Sequence, residues 1–461
     1  MKKSYWFLFV PSAILYALPF LFNDALWWLI FIFPIPLLYI TCTQNLSFIH
    51  GYVWGIIVFS LHVSGGICIV VRLSHEAWLI GVLLGIGMVL YQALVPAMLF
   101  SCITMIVRYF VIHSPMIRIF LWTLSLALFF VWIDQYCMWV FGIKEGYPLM
   151  HPLLPLAQQP RLLLLLPMCG KQLTTIFFLC VAASCVLWIW YKNFVSLLFF
   201  IMVILAWLYC WCVNVSEQTY PAWYNQIKSL PCMAHVTGQD PTVVMKVIAK
   251  QLKEIVMYHP HTDIIAMPES ALNITDFERK PELLQLWNAD CLGKPIHIIF
   301  GTCRWKNQHY CNSLHWVYNG ILQTCCDKKH AMLITERLPD WMSNTFTRTI
   351  YFRDGLSITR SCDERMSLCM SENLTFIPYI CSEFFFNERP DDHHDHVPMI
   401  VIVNDMLFMN TYLQKLLLLL AQFKAIQWQR DVVYVSYGES LFIGTQGTLR
   451  EINQEALVLM Q

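Results

Sequence analysis

Three side chains with complementary chemistry follow short apolar runs in the second half of the sequence: Glu269 after "DIIAMP", Lys328 after "GILQTCCD" and Cys381 at the end of "FIPYI". A carboxylate, an ammonium and a thiol make a sufficient set for acyl transfer. A thiol, with an ordinary pKa of about 8.5, becomes a nucleophile when a base takes its proton and a nearby cation favours the thiolate. The ammonium can also stabilise the oxyanion of a tetrahedral intermediate. Spacing alone leaves plainer roles open: Glu269 as a helix N-cap partner, Lys328 as a solvated residue beside Lys329, and Cys381 as a small buried hydrophobe.

The elements that must present these residues are legible from Val236 onward. The runs "DIIAMPES", "HIIFGTCRW", "NSLHWVYNG", "FIPYICSE", "MIVIVND" and "VVYVSYG" are apolar stretches closed by polar or turn residues. Such runs predict strands buried on both faces. The stretches "PTVVMKVIAKQLKEIVMYH" and "NTYLQKLLLLLAQFKAIQWQ" have helical spacing. The mixture predicts a layered α/β domain, and in such sheets reactive groups are displayed at the C-terminal ends of strands.

Composition places this domain behind a membrane half. Of 461 residues 57% are hydrophobic and 13% charged, against roughly a quarter charged in soluble domains. Residues 1–225 hold 14 of the 60 charged side chains. Lys+Arg and Asp+Glu are both 30, so no basic excess exists to neutralise nucleic-acid phosphates, and nucleic-acid binding is excluded. Because a helix needs roughly 20 apolar residues to cross a bilayer, about seven spans are expected, near 5–22, 26–43, 50–71, 77–106, 119–140, 173–191 and 193–213. The domain boundary then falls at 218/219, with a transmembrane helical domain over 1–218 and the α/β domain over 219–461. The first apolar run has no small-residue cleavage site before a polar mature chain, so it is read as a retained helix. With the N-terminus inside, Lys2, Lys3, Arg108, Arg118 and Lys192 fall on the inner side and Arg72, Lys144, Arg161 and Lys171 on the outer. That bias and an odd helix count put the C-terminal domain outside the cytoplasm. Ionisable residues are nearly absent from the spans, Asp134 being the one acidic candidate near a helix end, which argues against an ion or proton pathway.

The sequence also carries a resemblance. "IIAMPESAL", "CDKKHAMLITERLP" and "YICSE" resemble, in the right order, the three signatures of the carbon-nitrogen hydrolase (nitrilase) superfamily, and Gly301, Asn312 with Ser313, and Asn404 with Asp405 extend the match. A nitrilase-like domain behind a multi-span membrane half resembles the apolipoprotein N-acyltransferase family over nearly the whole chain. The resemblance implies an α-β-β-α sandwich in which Glu269 is the general base, Lys328 the oxyanion-stabilising cation and Cys381 the nucleophile. Glu336 would orient Lys328 and the incoming amine, and Glu383 would support the site. It further implies a monomeric enzyme of the bacterial inner membrane whose catalytic domain faces the periplasm. Its partners would be a phospholipid acyl donor and a diacylglyceryl-modified apolipoprotein acceptor, and no metal or other cofactor is implied.

The sequence departs from the family pattern at Ser382 and Cys326, where the family has tyrosines, at "AMLITE", at Leu407 and Met409, and at "KAIQ" over 424–427. The family also has a further membrane helix after the last soluble strand. None follows here before Gln461, so tethering through the N-terminal half alone is expected. A membrane-tethered amidase that gives the acyl group to water, and a catalytically dead lipoprotein-binding homologue, are the alternative readings. Nine cysteines follow residue 225, an odd number that would leave Cys381 reduced if the others paired. The run "DDHHDH" at 391–396 has a metal-tract composition without zinc-site spacing, and reads as a solvated loop.

Overall fold

The computed structural model describes residues 8–74, 78–110, 114–135, 148–212, 220–231, 240–272, 280–306, 309–328, 368–371, 374–385, 397–408 and 411–452. The chain divides into two compact units, residues 1–216 with 410–427, and residues 217–409 with 428–461.

The first unit is helical. Helices span Phe9–Leu21, Pro34–Thr43, Phe48–Ser74, Trp78–Tyr109, Pro115–Gln135, Leu166–Tyr191 and Phe194–Cys212. Among the described residues three stretches are long and apolar enough to cross a membrane, Gly85–Tyr109, Pro115–Asp134 and Leu166–Tyr191, so the expected count of about seven is not reached. The reasons are local. Phe9–Leu21 has 13 residues, which at 1.5 Å each reach about 20 Å, short of the roughly 30 Å hydrocarbon core. The stretch expected at 26–43 is divided, because Pro34 and Pro36 sit at the start of a new helix, where the missing N–H costs nothing. Leu83, Met98, Phe120, Leu128 and Leu205 point outward, while polar groups are turned inward. Lys171 and Asp134 form a buried ion pair, and Thr175 Oγ1 lies 3.3 Å from His151 Nε2. Inward-facing, mutually satisfied polar groups are what a lipid environment demands.

Two helices of this unit meet through small residues. An added Cβ at Gly51 would lie 2.4 Å from the Pro96 carbonyl oxygen and 2.8 Å from Ala97 Cα, and one at Gly55 would lie 2.8 Å from Ala93 Cα. Gly51 and Gly55 on one helix and Ala93 and Ala97 on the other are each four residues apart, which lets the backbones touch. Beside them Trp54 Nε1 donates to Ser12 Oγ (3.4 Å), and Ser12 Oγ donates to the Phe33 carbonyl (2.8 Å).

The second unit holds two sheets. The first has the order β1(Ile227–Ser229), β2(Ile264–Ala266), β3(His297–Lys306), β4(His309–Tyr318), β5(Ile321–Asp327), with β1, β2 and β3 parallel and β4 and β5 added antiparallel. The second has the order β11(Leu449–Glu451), β10(Leu441–Ile443), β9(Val432–Val435), β8(Met399–Ile402), β7(Leu374–Ile380), β6(Leu368–Ser371), with β7, β8 and β9 parallel. Strands β2, β8 and β9 are buried at every residue, as their unbroken apolar runs predict. The amphipathic helix Pro241–Tyr258 is capped by Asp240, whose side chain accepts from Thr242 N. It packs Met245, Ile248 and Leu252 against Ile265, Ile298, Phe300 and Val317 of the first sheet. On the other face of that sheet Gly301 meets Ile402 of the second sheet. The result is a helix–sheet–sheet stack.

Substituting Gly51→Val is expected to force the two helices apart and to cost about 1–3 kcal/mol. The check is the midpoint of unfolding of the purified protein in a detergent titration, which falls in the variant if the helices are held at backbone contact and stays put if they are not.

Candidate active site

The C-terminal ends of three strands deliver the site residues. β2 runs into Pro268 and Glu269, β5 into Lys328, and β7 into Cys381. Glu269, Lys328 and Cys381 are 3%, 2% and 4% exposed, so their chemistry takes place out of bulk water.

The Glu269 carboxylate is the most heavily bonded group of the site. Its Oε1 accepts from Lys328 Nζ at 2.9 Å and from Asn312 Nδ2 at 2.5 Å, and its Oε2 accepts from the backbone N–H of Asn404 at 3.0 Å. Asn312, on β4, also accepts the Lys328 backbone N–H at its carbonyl oxygen, at 2.7 Å. One residue thus fixes both the head of the carboxylate and the root of the lysine. A buried ion pair is tolerable only when remaining lone pairs and protons are satisfied, and these donors supply that.

The turn that follows Glu269 is tight. Ser270 has φ +57°, a left-handed conformation rare outside glycine. Gly301 on β3 makes room for it: a Cβ there would lie 2.7 Å from Glu269 Cα and 2.9 Å from Ser270 N.

Cys381 stands at an equally sharp bend. It has φ +46° and opens a short helical turn, Cys381–Phe385, directly after β7. Non-glycine residues in this region cost of order 1–3 kcal/mol and concentrate at functional sites. Glu383 helps to hold the bend, its Oε2 accepting the Ile380 N–H at 2.8 Å, so the supporting carboxylate folds back onto the turn that carries the thiol. Ile380 pairs with Ile402 of the neighbouring parallel strand, and two residues beyond Ile402 the Asn404 N–H meets Glu269. β4, which carries Asn312, also approaches β7. Asp405 anchors the loop behind Asn404: its Oδ1 accepts from Tyr437 N (3.0 Å) and its Oδ2 from Ser436 Oγ (2.9 Å). Burial first, and then the nearby Asp405, Cys381 and Glu439, hold the Tyr434 phenol well above its ordinary range.

The structure therefore puts Glu269 and Lys328 in contact and brings the Cys381 turn to the same end of the paired sheets. Glu336 lies outside the described residues, as does the 391–396 run. Among the described residues no group of His, Cys, Asp or Glu has metal-binding geometry. Among the described residues no disulfide joins Cys291, Cys303, Cys311, Cys325, Cys326 or Cys381. The contacts of Asn312 and of the Asn404 N–H with Glu269 are not apparent from spacing. Their signal in the sequence is a pair of short polar interruptions, "NS" within β4 and "ND" after β8, which also extend the family resemblance.

No protein-family model matches the chain and no curated protein matches it. Part of it is similar to solved structures. A carbon-nitrogen hydrolase from Helicobacter pylori G27 is 12% identical with a TM-score of 0.37, over 50% of this chain and 88% of that one. Nit3 of Saccharomyces cerevisiae, from branch 10 of the nitrilase superfamily, is 16% identical with a TM-score of 0.36, over 48% and 84%. A CN-hydrolase superfamily protein of Xanthomonas campestris is 16% identical with a TM-score of 0.32, over 46% and 80%. Likenesses of this degree do not assign an activity, which must come from the chemistry of the site.

Gly301→Val is expected to displace Glu269 and, since misplacement of about 1 Å can cost 10²-fold, to slow alkylation of Cys381 by iodoacetamide at neutral pH by tenfold or more. Mass spectrometry of the modified peptide, with circular dichroism to confirm the fold, reads the effect; an unchanged rate would separate Glu269 from the thiol.

Proposed function

We propose that the protein is a phospholipid-dependent N-acyltransferase that modifies the N-terminal α-amino group of S-diacylglyceryl-cysteine in bacterial lipoproteins. The observation that carries this reading is the buried Glu269 carboxylate held against Lys328, with a left-handed Cys381 at the neighbouring strand end, in a chain that also holds helices of membrane-spanning length.

In the first half-reaction Glu269 accepts the Cys381 thiol proton and the thiolate attacks the carbonyl carbon of a phospholipid ester. The oxyanion is stabilised by Lys328, in a dry site where such stabilisation is strongest. The C–O bond then breaks, the proton on Glu269 passes to the departing lysophospholipid oxygen, and a thioester remains. In the second, the acceptor amine attacks the thioester, Glu269 takes a proton from the amine, the C–S bond breaks, and the thiolate recovers the proton as the amide forms. The matched role for Glu336 is to orient Lys328 and the amine. Both acyl donor and acceptor are lipids, so an enzyme of this kind belongs in a membrane. The proposed setting is the bacterial inner membrane, crossed by about seven segments, with the catalytic domain on the periplasmic side and the protein a monomer.

The test is incubation of the purified protein in detergent with a phospholipid labelled in its acyl chain. Label is expected on Cys381, removable by neutral hydroxylamine, absent from Cys381→Ala and transferred to a diacylglyceryl-cysteine peptide. Label lost to water in the presence of that peptide would favour the hydrolytic, amidase-type reading over the transferase, with hydrolysis of an amide substrate as its direct check. No label from any phospholipid, on folded protein, would make it a non-catalytic binding homologue. Lys328→Met is expected to abolish labelling and, by leaving Glu269 buried without its partner, to cost about 3–5 kcal/mol.

A further inference from the structure

On the face of the first sheet opposite Glu269, three strands are tied by side chains that the reaction does not use. Asn312 and Ser313 are adjacent on β4 and so point to opposite faces. Asn312 reaches Glu269, and Ser313 Oγ donates to Asp327 Oδ1 at 2.7 Å on the other side. Arg304, on β3, grips the same carboxylate with both arms, Nε to Oδ1 at 2.5 Å and Nη2 to Oδ2 at 2.6 Å, and its Nη1 reaches Cys325 Sγ. The side chains of Arg304 and Asp327 are 11% and 2% exposed. Asp327 is the last residue of β5 and its pairing with Ser313 is the last rung of that ladder; Lys328 comes immediately after it.

We propose that the Arg304–Asp327–Ser313 clamp is a positioning device for Lys328. The inference rests on the catalytic reading of Glu269, Lys328 and Cys381 given above. A lysine has four rotatable bonds, and placing its ammonium on one carboxylate oxygen requires the strand end that carries it to be fixed. The Lys328 N–H bond to Asn312 holds one side of that end. The clamp holds the other, with the planar two-point geometry that a guanidinium and a carboxylate provide. It also ties β5 to β3, the strand whose Gly301 abuts Glu269, so the two partners of the ion pair are set relative to each other across three strands. Neither Arg304 nor Asp327 touches the reacting atoms; both act through Lys328.

The experiment uses the full chain in detergent and two readouts: the rate of acyl-enzyme formation, and the pH profile of Cys381 alkylation by iodoacetamide, which needs no substrate. Asp327→Asn and Arg304→Lys keep the shape of the pair and remove its charge or its two-point grip. They are expected to slow acylation by about 10–100-fold and to move the alkylation profile in the direction that Lys328→Met moves it, Arg304→Lys by less. Ser313→Ala, which removes a single hydrogen bond, is expected to give the same change in smaller measure and keeps the test open if Asp327→Asn does not fold. Folded Asp327→Asn with the wild-type rate and profile would overturn the proposal. If Lys328→Met itself leaves the profile unchanged, the catalytic reading fails and the clamp's role fails with it.

Discussion

A carboxylate charge buried beside an ammonium is the constraint on which the second unit is built. Glu269 cannot keep its charge away from water unless donors are delivered to both of its oxygens. Those donors come from the end of β5, the middle of β4 and the loop beyond β8, so no single strand or hairpin could assemble them. Two sheets must meet face to face, and they can meet this closely only because Gly301 lacks a side chain where the Glu269 turn and Ile402 converge. The left-handed residues Ser270 and Cys381 belong to the same problem: each strand must stop and turn its side chain inward within one residue, and an αL conformation does that in the least chain length.

The first unit solves a different problem with the same rule. Its helices turn apolar side chains outward, and several of their internal polar groups engage one another: Asp134 with Lys171, Thr175 with His151, and Trp54 through Ser12 to the Phe33 carbonyl. Without a hydrophobic drive between helices in lipid, close backbone approach at Gly51, Gly55, Ala93 and Ala97 and these internal bonds are what hold such a unit together.

Legibility in the sequence follows the range of the forces involved. The strands and the helix Pro241–Tyr258 of the second unit are local patterns of apolar residues and their limits, and they form where the spacing predicts. The three reactive residues stand at readable strand ends, but spacing left their roles open and only the family resemblance gave them roles. Of the membrane segments, three of spanning length are seen among the described residues, and a hydropathy stretch does not register where prolines open a new helix, as Pro34 and Pro36 do within 26–43. The contacts that make the site work were not readable, since Asn312 and Glu269, or Arg304 and Asp327, meet only through the register of the sheets. A backbone donor such as the Asn404 N–H leaves no mark on the sequence at all.

The same contacts separate the positions on which the centre depends from those that only surround it. The four groups engaged at Glu269 are an asparagine amide, a lysine ammonium, a main-chain N–H and the carboxylate itself. Cys326 is the strand residue opposite Leu314, two residues along β4 from Asn312, and Ser382 lies within a turn held by Glu383 and the Ile380 N–H. Neither position supplies an atom to the carboxylate. The chemistry asks for charge, donors and a bend, and the flanking side chains are constrained only as far as they preserve those three.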